Sequence, residues 1–360
     1  VRVAMLRFSG HAEFRQRIVL ATLSRRPIRI EEIRTGGSAD AVGLCDFEAS
    51  FLRLVEKLVD GSEIIVNETG TALQYRPGMI IGGRNVVHDC GKVRGLGYFI
   101  EPLLVIALFA KRELSVTFRG FTNVSNDLGV DVLRSVTMPF LKRFGLEDDV
   151  HLQIVRRGAP PAGMGEVLLN IPVVRSVQTL HLTDPGRVKR VRGVAYGVKV
   201  SPQVINRLVD AARSVLTHYI PDVWIYTDVA SSKDGSPGFA LSLVAETTNG
   251  CLLSAEATAT PGASPEDVGL AAASQLMEEI LQGGVIDSAH QPLALMLMAF
   301  GPQDVSRLRV GSLSAPAMSL MRNLCAFVGL KFQIWPEADD HSTVVACRGV
   351  GFSNSAKSSF

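Results

Sequence analysis

The sequence predicts an α/β (α+β) fold in which three repeated βαβαββ units form a large domain, with a smaller α/β domain inserted between the second and third units. Three observations predict this organisation. The length of 360 residues exceeds one ordinary domain of ~150 residues. One order of predicted elements occurs three times. A segment with a different order lies between the turns Asp184-Pro-Gly186 and Gln282-Gly-Gly284.

The first unit is predicted from helical spacing and strand alternation. Its helices are expected over residues 14–23 and 47–58, and its strands over 28–34, 63–67 and 72–75. The same order then returns. The second unit has predicted helices over 98–109 and 130–144, with strands over 114–119, 151–156 and 166–169. The third has helices over 291–299 and 315–328, with strands over 307–310, 331–335 and 343–347. Because no single unit buries enough surface alone, we expect the helices of the three to pack together.

The inserted segment has its own pattern of elements. Strands are predicted over 190–200, 223–227, 240–246 and 251–257, and helices over 202–220 and 264–281. Pro265, followed by Glu266 and Asp267, is typical of a helix N-terminus. The sequence therefore predicts a large domain of residues 1–184 and 285–360 and an inserted domain of residues 185–284.

Composition narrows the function classes. Lys plus Arg is 37 and Asp plus Glu is 35, so any basic surface must be local. The five cysteines form no CxxC pair, which argues against a zinc site and a disulfide framework and favours reduced thiols in an intracellular protein. The most apolar stretch, residues 103–110, is eight residues long, whereas a membrane span needs ~20. We expect no membrane partner.

Six short motifs occur in register along the chain. They are Gly10-His-Ala-Glu-Phe-Arg15, Arg34-Thr-Gly36, Gly43-Leu44, Tyr75-Arg-Pro-Gly78, Arg119-Gly-Phe-Thr-Asn123 and the Pro- and Gly-rich loop from Arg156 to Gly165. Together they resemble the RNA 3′-terminal phosphate cyclase family over nearly the whole chain. Each motif alone is weak evidence, but six in order are strong. The resemblance implies the same triplicated large domain and inserted smaller domain.

Further stretches are similar to the cyclase-like branch of that family. They include Arg94-Gly-Leu-Gly-Tyr98, Leu182-Thr-Asp-Pro-Gly186 and Gly349-Val-Gly-Phe-Ser-Asn354. This resemblance implies a nuclear, nucleolar protein that acts in early pre-rRNA processing towards 18S rRNA. It also implies pre-rRNA, a nucleolar GTPase of ribosome assembly and the pre-ribosomal small-subunit complex as partners.

The resemblance also locates the family's nucleophile. Active cyclases attach AMP to a histidine in a motif of His, three residues and Gln; here Gln291 matches, but Asp287 occupies the histidine position. A carboxylate would repel a triphosphate, so we expect no nucleotidyl transfer, no cofactor and no metal. His290 is either a shifted nucleophile or a helix-start histidine bonded to nearby backbone or to Asp287. Ala12 and Phe47-Glu48 depart from the family pattern as well.

Arginines at glycine-bearing turns are candidate RNA contacts, because guanidinium forks match phosphate geometry. These candidates, with the neighbouring Asn123, are Arg15, Arg34, Arg76, Arg119, Arg156 and Arg157. One hypothesis gathers them into a retained anion pocket; the alternative is that they cap strands and pair with Asp and Glu. Asp127, Asp131 and Asp287 form no recognised metal cluster, and Asp131 is expected to be a solvated helix residue.

A second basic patch lies in the inserted segment. Lys189, Arg190 and Arg192 fall on a predicted strand, where alternation sends the two arginines to one face and the lysine to the other. The patch either binds nucleic acid or an acidic partner, or is a solvated edge that discourages sheet pairing. Arg322 adds one arginine on the last helix. Trp224 and Trp335 are expected to pack in strands.

The sequence is compatible with three functions. The leading one is a catalytically inactive cyclase-fold protein of small-subunit ribosome biogenesis. The alternative is a pre-rRNA endonuclease with unidentified catalytic residues. An active ATP-dependent cyclase is the third.

Overall fold

The computed structural model describes residues 4–36, 42–146, 150–230, 235–337 and 342–354. It confirms the predicted α/β class. No helix in these ranges is long and apolar enough to cross a membrane.

The first unit contains eight elements. They are β1 (Leu6–Ser9), α1 (Phe14–Ser24), β2 (Ile28–Glu31), α2 (Asp46–Leu58), β3 (Val59–Asp60), β4 (Glu63–Val66), β5 (Leu73–Arg76) and β6 (Met79–Ile80). Four strands form a sheet of order β1-β2-β5-β4, in which β1 and β2 are parallel and the other pairs are antiparallel. The short strands β3 and β6 pair separately.

The second unit has the same sheet order. Its elements are β7 (Gly83–Asp89), α3 (Leu96–Ile106), β8 (Leu114–Gly120), a helix over 130–144, β9 (His151–Arg156) and β10 (Gly165–Ile171). The helix consists of α4 (Val130–Val132), a π-helical turn (Leu133–Thr137), α5 (Met138–Leu141) and a 3₁₀ turn (Lys142–Phe144). The strand order is β7-β8-β10-β9, with β7 and β8 parallel.

The third unit begins with β11 (His181–Leu182) and is then interrupted by the insertion. The inserted elements are β12 (Val188–Val198), α6 (Pro202–Leu216), β13 (Val223–Ala230), β14 (Gly238–Thr247), β15 (Leu252–Thr258) and α7 (Pro265–Leu281). The unit resumes with α8 (Gln291–Ala299), β16 (Val305–Val310), α9 (Ala315–Val328), β17 (Gln333–Pro336) and β18 (Thr343–Arg348). Its sheet order is β11-β16-β18-β17, the same order again. The insertion therefore follows the first strand of this unit.

One hydrophobic core joins the three units. The first helices of the three units are α1, α3 and α8. Helix α1 packs on α3, and α3 packs on α8. The second helix of the third unit, α9, contacts both α1 and α8. Helix α3 is buried on nearly every side, as expected for a central helix that is apolar all round. The sequence had assigned no residues to β1, β7 and β11. These strands are short, or mostly exposed, and carry little apolar alternation.

The inserted sheet has the order β13-β12-β14-β15 and a core separate from that of the large part. Helices α6 and α7 cover one face. Ser201 and Ser264 cap these helices through their hydroxyl oxygens, each with proline at the following position, as the sequence of α7 predicts. On the other face, β14 and β15 contact the 130–144 helix. The proposed boundaries at 184/185 and 284/285 stay a prediction, which the separate core supports.

Candidate functional site

A cavity of about 700 Å³ lies between the large part and the insertion. Its walls come from the starts of α1, α2 and α8, from α3, from residues 125–128, and from β15 and α7 of the insertion. Clefts between two packed parts of a chain are the usual location of ligand sites. This cavity is therefore the candidate functional site of the described structure.

Asp287 and His290 are buried next to this cavity, behind the residues that line it. His290 Nδ1 lies 2.6 Å from Asp287 Oδ1, and its Nε2 lies 2.8 Å from the Thr137 hydroxyl. The second Asp287 oxygen accepts bonds from the backbone nitrogen and hydroxyl of Ser254, at 2.9 and 2.6 Å. Asp287 is 0% and His290 1% exposed. Both imidazole nitrogens are engaged, and the pairing with Asp287 is the one that the sequence offered as an alternative to a nucleophile.

The pKa values of Asp287 and His290 are set by their burial and by their contact with each other. Burial is the largest single influence and disfavours both charged forms, but the attraction between the two charges and the hydrogen bonds to them together outweigh it. The pKa of Asp287 is consequently lowered and the pKa of His290 raised from their ordinary values. A positively charged imidazole has no free nitrogen lone pair with which to attack a phosphorus atom.

Glu256 on β15 is a carboxylate that sequence reasoning missed. Burial raises its pKa to about 7, partly offset by the bond that the Gly129 backbone nitrogen donates to it at 2.7 Å. A Cβ on Gly129 would lie 2.3 Å from Glu256 Oε2 and 2.2 Å from Asn123 Nδ2, so both side chains would have to move to accommodate it. Asn123 is 1% exposed, and its side-chain amide has no hydrogen-bond partner in the described ranges.

Three arginines line the cavity, and carboxylates engage all of them. Arg34 forms two bonds to Glu48, at 2.7 and 2.8 Å, and Glu48 in turn accepts from the Cys45 backbone nitrogen. Arg94 bonds Asp127 through Nε at 2.9 Å, with its guanidinium over the Tyr98 ring.

The third arginine, Arg15, donates to the Tyr98 carbonyl at 2.8 Å and to Glu101 at 3.3 Å. Against these three arginines the walls carry seven carboxylates, so the cavity has an acidic excess. The acidic members are Glu13, Glu48, Glu101, Asp127, Glu256, Glu278 and Glu279. Such a lining repels a polyphosphate.

Only part of the predicted anion pocket is assembled in the described structure, and the RNA-binding role of its arginines stays a prediction. Arg15 and Arg34 line the cavity, whereas the remaining strand-end arginines do not. Arg76 pairs with Glu63 at 2.7 Å, and Arg119 with Glu166 at 3.3 Å, both at exposed positions. Arg156 and Arg322 are exposed elsewhere. The arginines are dispersed because they end strands of different sheets.

Arg157 is buried and paired with carboxylates, which favours a structural role over the predicted RNA contact. It donates to both oxygens of Asp131, at 2.6 and 2.9 Å, and to Asp228 of the insertion at 2.7 Å. Its guanidinium lies 4.6 Å from the Tyr196 ring centroid. Asp131 is 1% exposed, contrary to the solvated position expected from sequence, because Arg157 compensates its charge.

The basic strand β12 lies beside exposed aromatic residues that the sequence placed in packing positions. Arg192 forms two bonds to Asp222, at 2.8 and 2.9 Å, and Arg190 bonds Glu246 at 2.7 Å; Lys189 is exposed. Trp224 is 65% exposed and Trp335 37%. The packing assignment is wrong for Trp224, because its side chain points to the face opposite the one on which Val223 and Ile225 are buried. Within the described ranges, no group of three His, Cys, Asp or Glu side chains could hold a metal ion.

The fold and the cavity define a class: an α/β protein with three sheets of the same strand order, an inserted α/β segment with its own core, and a cleft between the two parts. The family model for RNA 3′-terminal phosphate cyclase matches residues 6–334. The chain belongs to this family.

Full-length relatives refine the similarity. The chain is 48% identical to the "RNA 3'-terminal phosphate cyclase-like protein" of Mus musculus, over 98% of this chain and 97% of that protein. It is 44% identical to an "rRNA processing protein" of Schizosaccharomyces pombe, over 97% and 96% respectively. Identity to the "rRNA processing protein" of Saccharomyces cerevisiae is 37%, over 97% and 96%.

Proposed function

We propose that this chain acts in ribosomal RNA processing during ribosome biogenesis, as a cyclase-family protein without nucleotidyl transfer. The similarity to rRNA processing proteins over nearly the whole chain supports the cellular role. The environment of Asp287 supports the loss of catalysis. The motif resemblance aligns Asp287 with the family's nucleophile, and its side chain is 0% exposed and fully hydrogen-bonded.

The acidic cavity supports the same conclusion. ATP brings several negative charges, and nucleotidyl transfer requires donors that hold the phosphates in line with a nucleophile. Here the three lining arginines already bond Glu48, Asp127 and Glu101. The finer proposal places the protein in the nucleolus, in early processing towards 18S rRNA. There it would bind pre-rRNA and a GTPase of the small-subunit assembly complex.

Incubation of the purified chain with α-labelled ATP tests the loss of catalysis. We expect no labelled protein band, while an active cyclase run in parallel becomes labelled. Asp287→His should not restore transfer, because Ala12 and Phe47-Glu48 differ from the family pattern too. A labelled wild-type band that disappears in His290→Ala would overturn the proposal.

One observation favours an endonuclease instead. Glu256 has a pKa raised by burial to about 7, which suits a general acid or base in a cleft. Cells depleted of the protein should accumulate an early pre-rRNA. Glu256→Gln should rescue processing if the role is not catalytic. If this variant folds normally and leaves the precursor uncut, the endonuclease function replaces the proposal.

A further inference from the structure

Two aromatic side chains stand on the open face of the inserted sheet. Trp224 and Tyr226 on β13 are 65% and 63% exposed, while the alternating Val223 and Ile225 are buried against the insertion's own helices. Side chains two residues apart share one face of a strand. Exposed aromatic rings on a common face mark a contact surface rather than a core.

The packing of the insertion leaves this part of the face uncovered. Val132 and Val136 of the 130–144 helix pack on Val244 of β14, and the helix also contacts β15. Strands β12 and β13 form the other half of the same sheet, next to β14 and away from β15. In the described structure, neither aromatic ring takes part in a ring stack or a cation–π contact. Both rings therefore remain available to a ligand.

Basic residues flank the rings. The register of β12 and β13 places Arg192 beside Trp224 and Val194 beside Tyr226. Arg190 lies two residues before Arg192, on the same face. The pairs that these arginines form with Asp222 and Glu246 are partly exposed, so a phosphate competes with the carboxylates at little cost.

The open face carries two arginines that can contact an anion. Arg190 and Arg192 are matched in charge by Glu246 and Asp222, while Lys189 lies on the opposite face of the strand. Asp228, further along β13, is bonded by Arg157. Planar aromatic rings with adjacent arginines on an open sheet are the combination that binds unstacked bases.

We propose that single-stranded RNA binds across β12 and β13, with one base stacked on Trp224, another on Tyr226, and phosphates on Arg190 and Arg192. Two residues of a strand span about 6.6 Å of backbone, which separates the attachment points of the rings enough to hold two different bases. This site is outside the cavity and does not depend on the catalytic state proposed above.

Intrinsic fluorescence gives a direct test, because the chain has two tryptophans. In full-length Trp335→Phe protein, Trp224 is the only tryptophan. A single-stranded oligouridylate of twelve nucleotides should quench its emission, since stacking is short-ranged. In fluorescence anisotropy, Trp224→Ala with Tyr226→Ala should weaken binding about thirtyfold or more, since each of the two stacked bases contributes ~1–3 kcal/mol.

Matched variants separate stacking from folding and from charge. Trp224→Phe should retain most of the affinity, and Trp335→Ala should retain all of it. Arg192→Ala should lower the salt slope by about one unit. Absence of binding, unquenched Trp224 in the bound state, or unchanged affinity of the double alanine variant would overturn the proposal. So would a double variant that binds RNA normally but no longer joins pre-ribosomal proteins, because the face would then be a protein-docking surface.

Discussion

Arginine–carboxylate pairs of similar geometry occur in two regions with opposite surroundings. At the junction of the large part and the insertion, the side chains of Arg157 and Asp131 are 5% and 1% exposed, with a shortest contact of 2.6 Å. On the outer face of the insertion, those of Arg192 and Asp222 are 39% and 54% exposed, at 2.8 Å. Burial, rather than the chemical groups, decides which arginine is fixed in the structure and which is accessible at the surface.

The largest expected effect tests the buried side of this comparison. Arg157→Ala would leave Asp131 buried without its principal partner, so the free energy of unfolding should fall by about 3–5 kcal/mol. Urea denaturation followed by circular dichroism measures it. Asp228→Ala is the matched control, since its side chain is 42% exposed, and it should cost about 1 kcal/mol or less. Equal losses in the two variants would contradict the distinction.

Glu256 provides a pH-dependent test of the same junction. Its pKa is raised from 4.5 to about 7, mainly because burial disfavours the carboxylate. As the pH rises from 4.5 to 7, the unfolded chain loses this proton while the folded chain retains it, so stability falls. Glu256→Gln should remove that fall and be more stable than the wild type at pH 8, by up to about 3 kcal/mol. Unfolding curves at pH 4.5 and 8 check it; parallel pH profiles would contradict it.

Replacing Asp287 with the similarly shaped asparagine is expected to lower the free energy of unfolding by a somewhat smaller amount. Asp287→Asn removes the charge facing His290 and presents an amide to the Ser254 donors, a loss of about 1.5–3 kcal/mol. The lowered pKa of Asp287 makes its contribution present above 3.8 and lost as the pH falls through the folded value. The raised pKa of His290 makes its contribution present below 6.5 and lost as the pH rises through the folded value. Denaturation across this range should show a flatter profile in the variant.

Local pattern predicted the elements well where apolar spacing is strong. The sequence placed Gln291–Ala299 and Ala315–Val328 at the residues where the structure has α8 and α9. It did not locate β1 or β11, of four and two residues, because so short a strand has almost no period to read.

The site was less accessible to sequence reasoning, because its pairs join distant residues. Arg157 reaches Asp131 and Asp228, which lie 26 and 71 positions away, so a turn arginine that looked available is buried. Trp224 was assigned to packing because alternation does not say which face of an edge strand stays open. The Val223–Ile225 spacing identifies the covered face once the helices are placed, and Trp224 and Tyr226 then fall on the other.

The smallest expected change in stability tests the exposed side of the comparison. Arg192→Ala should lower the free energy of unfolding by about 1 kcal/mol or less, because solvent screens the pair with Asp222 and replaces its bonds. Asp222→Ala is the matched control and should have an equally small effect on stability. The two variants should diverge in RNA binding: loss of Arg192 removes a phosphate contact and weakens it, whereas loss of Asp222 frees the guanidinium and strengthens it. Denaturation and anisotropy titrations at several salt concentrations measure both properties. If both variants weaken RNA binding equally, the intact pair rather than a free arginine forms the contact.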